Sequence, residues 1–80
     1  MTKRTGTIDP MDHLRIRELR YARMLPGSWD KRFVSDLAAR IDKGDTSYLT
    51  PGQSHQLARL AWKYRRQITG EAAPREEPRK

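Results

Sequence analysis

The side chains best equipped to meet another molecule gather in the last third of the chain. His55, Arg59, Trp62 and Arg66 recur at steps of four, three and four residues. On a 3.6-residue helix those steps bring them to one side. A tryptophan flanked by arginines can stack on a base or on a partner's side chain, while the guanidiniums meet phosphates or carboxylates. Lys63 adds to this basic face. Over 50–69, Arg59, Lys63, Arg65 and Arg66 face no acidic residue. The alternative use of Trp62 is as a core residue beneath a neighbouring helix, because a chain this short needs its large apolar side chains.

A second basic group, Arg15, Arg17, Arg20 and Arg23, spreads around an earlier helix. With Lys3 and Arg4 it extends a positive surface along a nucleic-acid backbone, or it is a solvated face pairing with Glu18 and Asp12. Chemistry of a catalytic kind has little to build on. His13 and His55 share no metal-ligand spacing, and no cysteine is available as nucleophile, thiolate ligand or disulfide partner. The five glycines are scattered at turns rather than gathered in a phosphate loop. The expectation is a binding protein with no catalytic residues, no metal and no cofactor.

Seventeen Lys and Arg stand against ten Asp and Glu, a net of +7 over 80 residues. That surplus favours polyanions: nucleic acid, a nucleoprotein complex, or the acidic face of a protein. One small domain fits this length, with net stability on the order of 3–5 kcal/mol. No stretch has the apolar run of a secretory signal or a membrane span, so no membrane role and a cytoplasmic location are expected.

Three helices must position these residues, with no β-alternation long enough for a sheet. The first is expected from Asp9-Pro10 to Leu25-Pro26-Gly27, with Met11, Leu14, Tyr21, Ala22 and Leu25 as its apolar stripe, Glu18 inside that stripe and Ile16 and Leu19 outside it. Ser28 caps the second, which carries Trp29, Phe33, Leu37 and Ile41 at i, i+4 spacing beside Val34 and ends at Lys43-Gly44-Asp45. Its segment, 28–49, is electrically balanced and reads as core-forming. Thr50-Pro51 starts the third, whose stripe is Leu57, Leu60, Ala61, Tyr64 and Ile68, with Gly70 just past its end.

The fold class is therefore all-α: a three-helix domain over 9–69 with helices two and three as an antiparallel hairpin and helix one packed across them. Residues 1–8 read as a flexible arm. Residues 70–80 hold two prolines, no large apolar side chain and three acids against three bases. They read as a disordered tail, and deletion of residues 71–80 is expected to change neither stability nor binding. The connection 44–49 is longer than the turn of a helix-turn-helix, and helix three offers only Gln53 and Ser54 near its start to read base edges. Sequence-specific reading of duplex DNA finds little support.

The run Trp29…Phe33…Leu37, then Leu49-Thr50-Pro51-Gly52-Gln53, Leu57, Leu60 and Tyr64-Arg65-Arg66-Gln67-Ile68, resembles a module of small phage and prophage proteins. It covers about half of the chain. The resemblance implies a mobile-element origin in a bacterial cytoplasm and no assigned reaction. The function expected is binding of nucleic acid or a nucleoprotein complex through Arg59, Trp62, Lys63, Arg66, His55, Arg15, Arg20 and Arg23. A protein–protein adapter or inhibitor of a host machine, such as a CRISPR–Cas complex, is the other class, perched on Trp62, Ile16 and Leu19 as apolar anchors and with a homodimer as one form.

Overall fold

The computed structural model describes residues 8–45 and 49–78 and contains three α-helices and no strand among them. These are α1 (Pro10–Leu19), α2 (Trp29–Asp42) and α3 (Pro51–Lys63), followed by a single 3₁₀ turn, Arg65–Gln67. Of the expected N-terminal arm, residues 1–7 lie outside the described residues, but Ile8 is buried and belongs to the core. The middle of the α2–α3 connection, 46–48, also lies outside them.

Each helix starts where its capping residue demands. Asp9 Oδ1 accepts from the Met11 amide at 2.8 Å, and Ser28 Oγ from Lys31 at 3.2 Å. Thr50 and Gln53 form a reciprocal capping box: Thr50 Oγ1 accepts from the Gln53 amide, and Gln53 Oε1 from the Thr50 amide. Proline occupies the first position of α1 and α3, where its missing N–H costs nothing. The end of α2 is equally determined. Gly44 takes φ +90°, its amide donates to Ile41, and the Asp45 amide reaches back to Arg40, a complete Schellman closure.

The core is α1 laid against α3 and α2. It packs most extensively on α3 and also on α2, whereas the backbones of α2 and α3 approach each other only slightly. Ile16, Leu19, Val34, Leu37, Leu57, Leu60 and Ala61 are its centre. The α3 stripe stands as expected, with Leu57, Leu60, Ala61 and Ile68 buried and Tyr64 half-buried against them. On α2 the buried face is Val34, Leu37 and Ala38. Trp29, read as core-forming, is 56% exposed.

Helix one departs furthest from expectation. It stops at Leu19, six residues short of Leu25, and its buried face is Asp12, Ile16, Leu19 with Ala22 beyond. Tyr21 and Leu25 are exposed, at 82% and 76%. The reason is a carboxylate inside the buried stripe: Ser54 Oγ donates to Asp12 Oδ1 and Oδ2 at 3.1 and 3.0 Å. An apolar pattern passes over a face that contains an acid. Beyond Leu19 the chain tightens into i→i+3 bonds from Tyr21 and Ala22. The Gln67 carboxamide then clamps Arg23, accepting from its amide at 2.7 Å and donating to its carbonyl at 3.3 Å. Backbone groups that a longer helix would have paired are satisfied by a residue 44 positions away.

Where it is described, to residue 78, the tail has no regular secondary structure, yet its first turn is docked. The amides of Ala72 and Ala73 donate to the Thr69 carbonyl, Ala72 has no accessible surface, and Arg15 Nε donates to the Ala72 carbonyl at 2.8 Å. This docking of Ala72 stands against the expectation that residues 71–80 can be removed silently. A turn of small residues has no apolar periodicity to announce it, and its anchor is a backbone carbonyl.

Two outcomes follow. Leu37→Ala and Leu60→Ala, at sites 3% and 5% exposed, are each expected to cost about 2–4 kcal/mol, read as a fall in thermal midpoint by circular dichroism. Truncation after Thr69 is expected to cost about 1–3 kcal/mol, because it leaves the half-buried Arg15 guanidinium without its acceptor. An unchanged melting temperature in the truncated protein would show that the Ala72 turn contributes nothing.

Candidate nucleic-acid interface

At the end of α3 an open cleft of about 670 Å³ is lined by Trp29 and Asp30 from α2, by Gln56, Arg59, Leu60, Trp62 and Lys63 from α3, and by Arg65, Glu77 and Pro78. Its position follows from the caps. Ser28 starts α2 so that Trp29 and Asp30 lie in its first turn, and that first turn meets the last turn of α3. Neither tryptophan is part of the hydrophobic core or packed against it. Trp62 is half-buried and does not fill the space beneath α1.

Each indole is held by a neighbour. Trp29 stacks on Phe33 with ring centroids 4.9 Å apart and planes 12° from parallel. Above Trp62 lies Arg65, its guanidinium carbon 4.0 Å from the ring centroid, and Arg65 Nη1 donates to the Trp62 carbonyl at 2.9 Å. Sequence spacing assigns that position to Arg66. The helix ends at Lys63 and gives way to a 3₁₀ turn, in which side chains three apart eclipse, so Arg65 takes the place over Trp62. Arg66 is exposed and does not line the cleft. Neither does His55, which is half-buried with its Nε2 enclosed and without a hydrogen-bond partner among the described residues.

The charge of α3 is partly compensated in space by an acid from another element. Asp30 Oδ2 accepts from Lys63 Nζ at 2.7 Å and from the Tyr64 hydroxyl at 2.9 Å. Burial pushes the Asp30 carboxyl up, but the hydrogen bonds from Lys63 and Tyr64 outweigh it and hold the group below its ordinary value of 3.8. The same burial and the bond to Asp30 push the Tyr64 hydroxyl up. Arg59, Arg65 and Arg66 make no ion pair among the described residues.

The arginines of α1 and of the segment after it do not join this site. Arg20 forms a two-pronged pair with Asp42, Nη1 to Oδ1 at 3.2 Å and Nη2 to Oδ2 at 3.0 Å. Arg15 is half-buried and spent on Ala72. Arg23 is exposed, with its backbone held by Gln67. The residues sequence reasoning passed over are Trp29, Asp30 and Arg65. Sequence pattern assigns Trp29 and Asp30 to the core and charge balance of α2, and a continuous helix would give Arg65's place to Arg66.

Among the described residues no three His, Asp or Glu side chains come together as a metal-binding group, and no helix is long and apolar enough to cross a membrane. Comparison with family models, with curated proteins and with solved structures finds no match. The resemblance to phage modules rests on the residues quoted for it.

Asp30 supplies a pH signature. Its depressed pKa means its contribution is present above pH 3.8 and is lost as pH falls through the folded-state value. Asp30→Asn is expected to cost about 1 kcal/mol at neutral pH, since Lys63 is largely solvated. The gap in melting temperature between the two proteins should narrow below pH 3.8. A gap that is constant with pH would assign the effect to packing rather than to charge.

Proposed function

We propose that the protein binds nucleic acid through this tryptophan–arginine cleft, as a small phage-type accessory protein acting on nucleic acid or a nucleoprotein complex. The observation that carries the reading is the pairing of two indoles outside the core with Arg59 and Arg65, two guanidiniums that make no ion pair among the described residues although Asp30 and Glu77 line the same cleft. Guanidiniums meet phosphates by charge and by paired hydrogen bonds, and indoles supply faces on which bases stack. The net charge of +7 draws a polyanion toward the surface from any side, and the cleft gives it a place to stop.

The competing reading, an adapter or host-machine inhibitor built on an acidic protein face, keeps Trp62 but loses its other anchors. Ile16 and Leu19 are each 1% exposed and belong to the core.

The double substitution Arg59→Glu/Arg65→Glu is expected to weaken binding across all sequences. It should also flatten the dependence of log affinity on log salt by roughly 1.4–1.8, two phosphate contacts' worth. Arg17→Glu, exposed on α1 and outside the cleft, should change the affinity far less. Absence of binding to any nucleic acid at low salt would overturn the proposal and leave an acidic protein surface as the partner.

A further inference from the structure

We infer that the cleft receives unpaired bases, so that its ligand is single-stranded nucleic acid and not a duplex; this rests on the nucleic-acid reading above. Three features of the site carry it.

The first is what an indole can recognise. In a duplex the faces of the bases are occupied by their neighbours, and a protein meets only phosphates and base edges. Trp29 and Trp62 present mainly π-faces, with one N–H donor each. Leaving two such side chains outside the core of so short a chain gains nothing from a duplex. Against a splayed base, each gains a stacking partner.

The second is preorganisation. Phe33 lies against Trp29 at 4.9 Å, and Arg65 lies over Trp62 at 4.0 Å. Each ring is thus steadied on one face by an intramolecular neighbour before any ligand arrives. That arrangement suits one base per ring, and a base can also stack on the outer face of the Arg65 guanidinium.

The third is shape. Duplex DNA is read by a convex element, a helix or a β-ribbon, entering a groove. Here the chemistry lies in a concavity between the first turn of α2 and the last turn of α3, and a groove has nothing to receive. A flexible strand can enter such a cleft and place its bases on the rings and its phosphates on Arg59 and Arg65. With Lys63 engaged by Asp30, those two guanidiniums set the register at about two nucleotides. The expected salt slope is therefore near −1.4, from about 0.7 per single-strand phosphate.

Intrinsic fluorescence tests this directly, since both tryptophans of the chain line the cleft. Titration with short oligothymidylate, with oligouridylate and with a closed duplex hairpin of equal charge should show quenching and tighter binding for both single strands. A preference between the two single strands reports on the sugar and on the thymine methyl group, and leaves base stacking supported. Trp62→Ala and Trp29→Ala, each confirmed folded by circular dichroism, should lose about 5- to 150-fold in single-strand affinity. Trp29, 56% exposed, keeps the test decisive should Trp62→Ala unfold the protein. A hairpin bound as tightly as the single strands, with fluorescence unmoved and Arg59→Glu/Arg65→Glu still weakening it, overturns the inference and leaves the nucleic-acid reading standing. If none of the three ligands binds at low salt, the underlying reading fails and this inference falls with it.

Discussion

The contact between α1 and α3 fixes where everything else can lie. Ile16 and Leu19 press against a core in which Leu57 and Ala61 have no accessible surface. At the other end of the same contact Ser54 donates to both oxygens of Asp12. Burial pushes the Asp12 carboxyl above its ordinary value, and the serine offsets part of that penalty. An apolar zipper closed at one end by a polar bond leaves α1 one register on α3. Because α3 gives this face to α1, its remaining surface is left for the arginines and the tryptophan.

Charge segregation along the chain is undone in part by folding. The segment 50–69 holds the basic helix and no acid, and the preceding segment, 28–49, is electrically balanced. In space the first turn of α2 delivers Asp30 to Lys63 and Tyr64, where the carboxylate also complements the positive end of the α2 dipole. One base is thereby tied to the scaffold, and the arginines beside it stay available. The ion pair does structural duty at the edge of the cleft and narrows the cationic surface to guanidiniums, which bind phosphate with more directional preference than an ammonium.

Helix starts and the faces of α2 and α3 were legible because their signals are local: Asp9, Ser28 and Thr50 as caps, proline after two of them, Gly44 at a left-handed position, and leucines at regular spacing. What could not be read depends on residues far apart in the chain. The inward face of α1 includes Asp12, which only Ser54 makes tolerable. The early end of α1 depends on Gln67, and the docking of the tail depends on Arg15. The site was half legible. Trp62 and Arg59 were placed by spacing alone. Arg65 replaced Arg66 because three residues of 3₁₀ turn rotate the chain, and Trp29 joined because the α2 start lies beside the α3 end.

The Gln67 clamp on Arg23 bears on how the chain reaches this state. Closing a loop of that span carries an entropic cost that local helix formation does not repay, and until it closes the segment after Leu19 has no partner for its backbone. Ala72 and its bond to Arg15 impose the same condition over a still longer separation. During synthesis, then, α1 and α2 can form as fluctuating helices, but their joint packing waits for the final residues of the domain. Folding of this small helical protein should accordingly be slower than its helix content suggests and should show a single cooperative phase. A nascent chain stalled before Gln67 would display Ile16 and Leu19 to whatever binds exposed apolar surface.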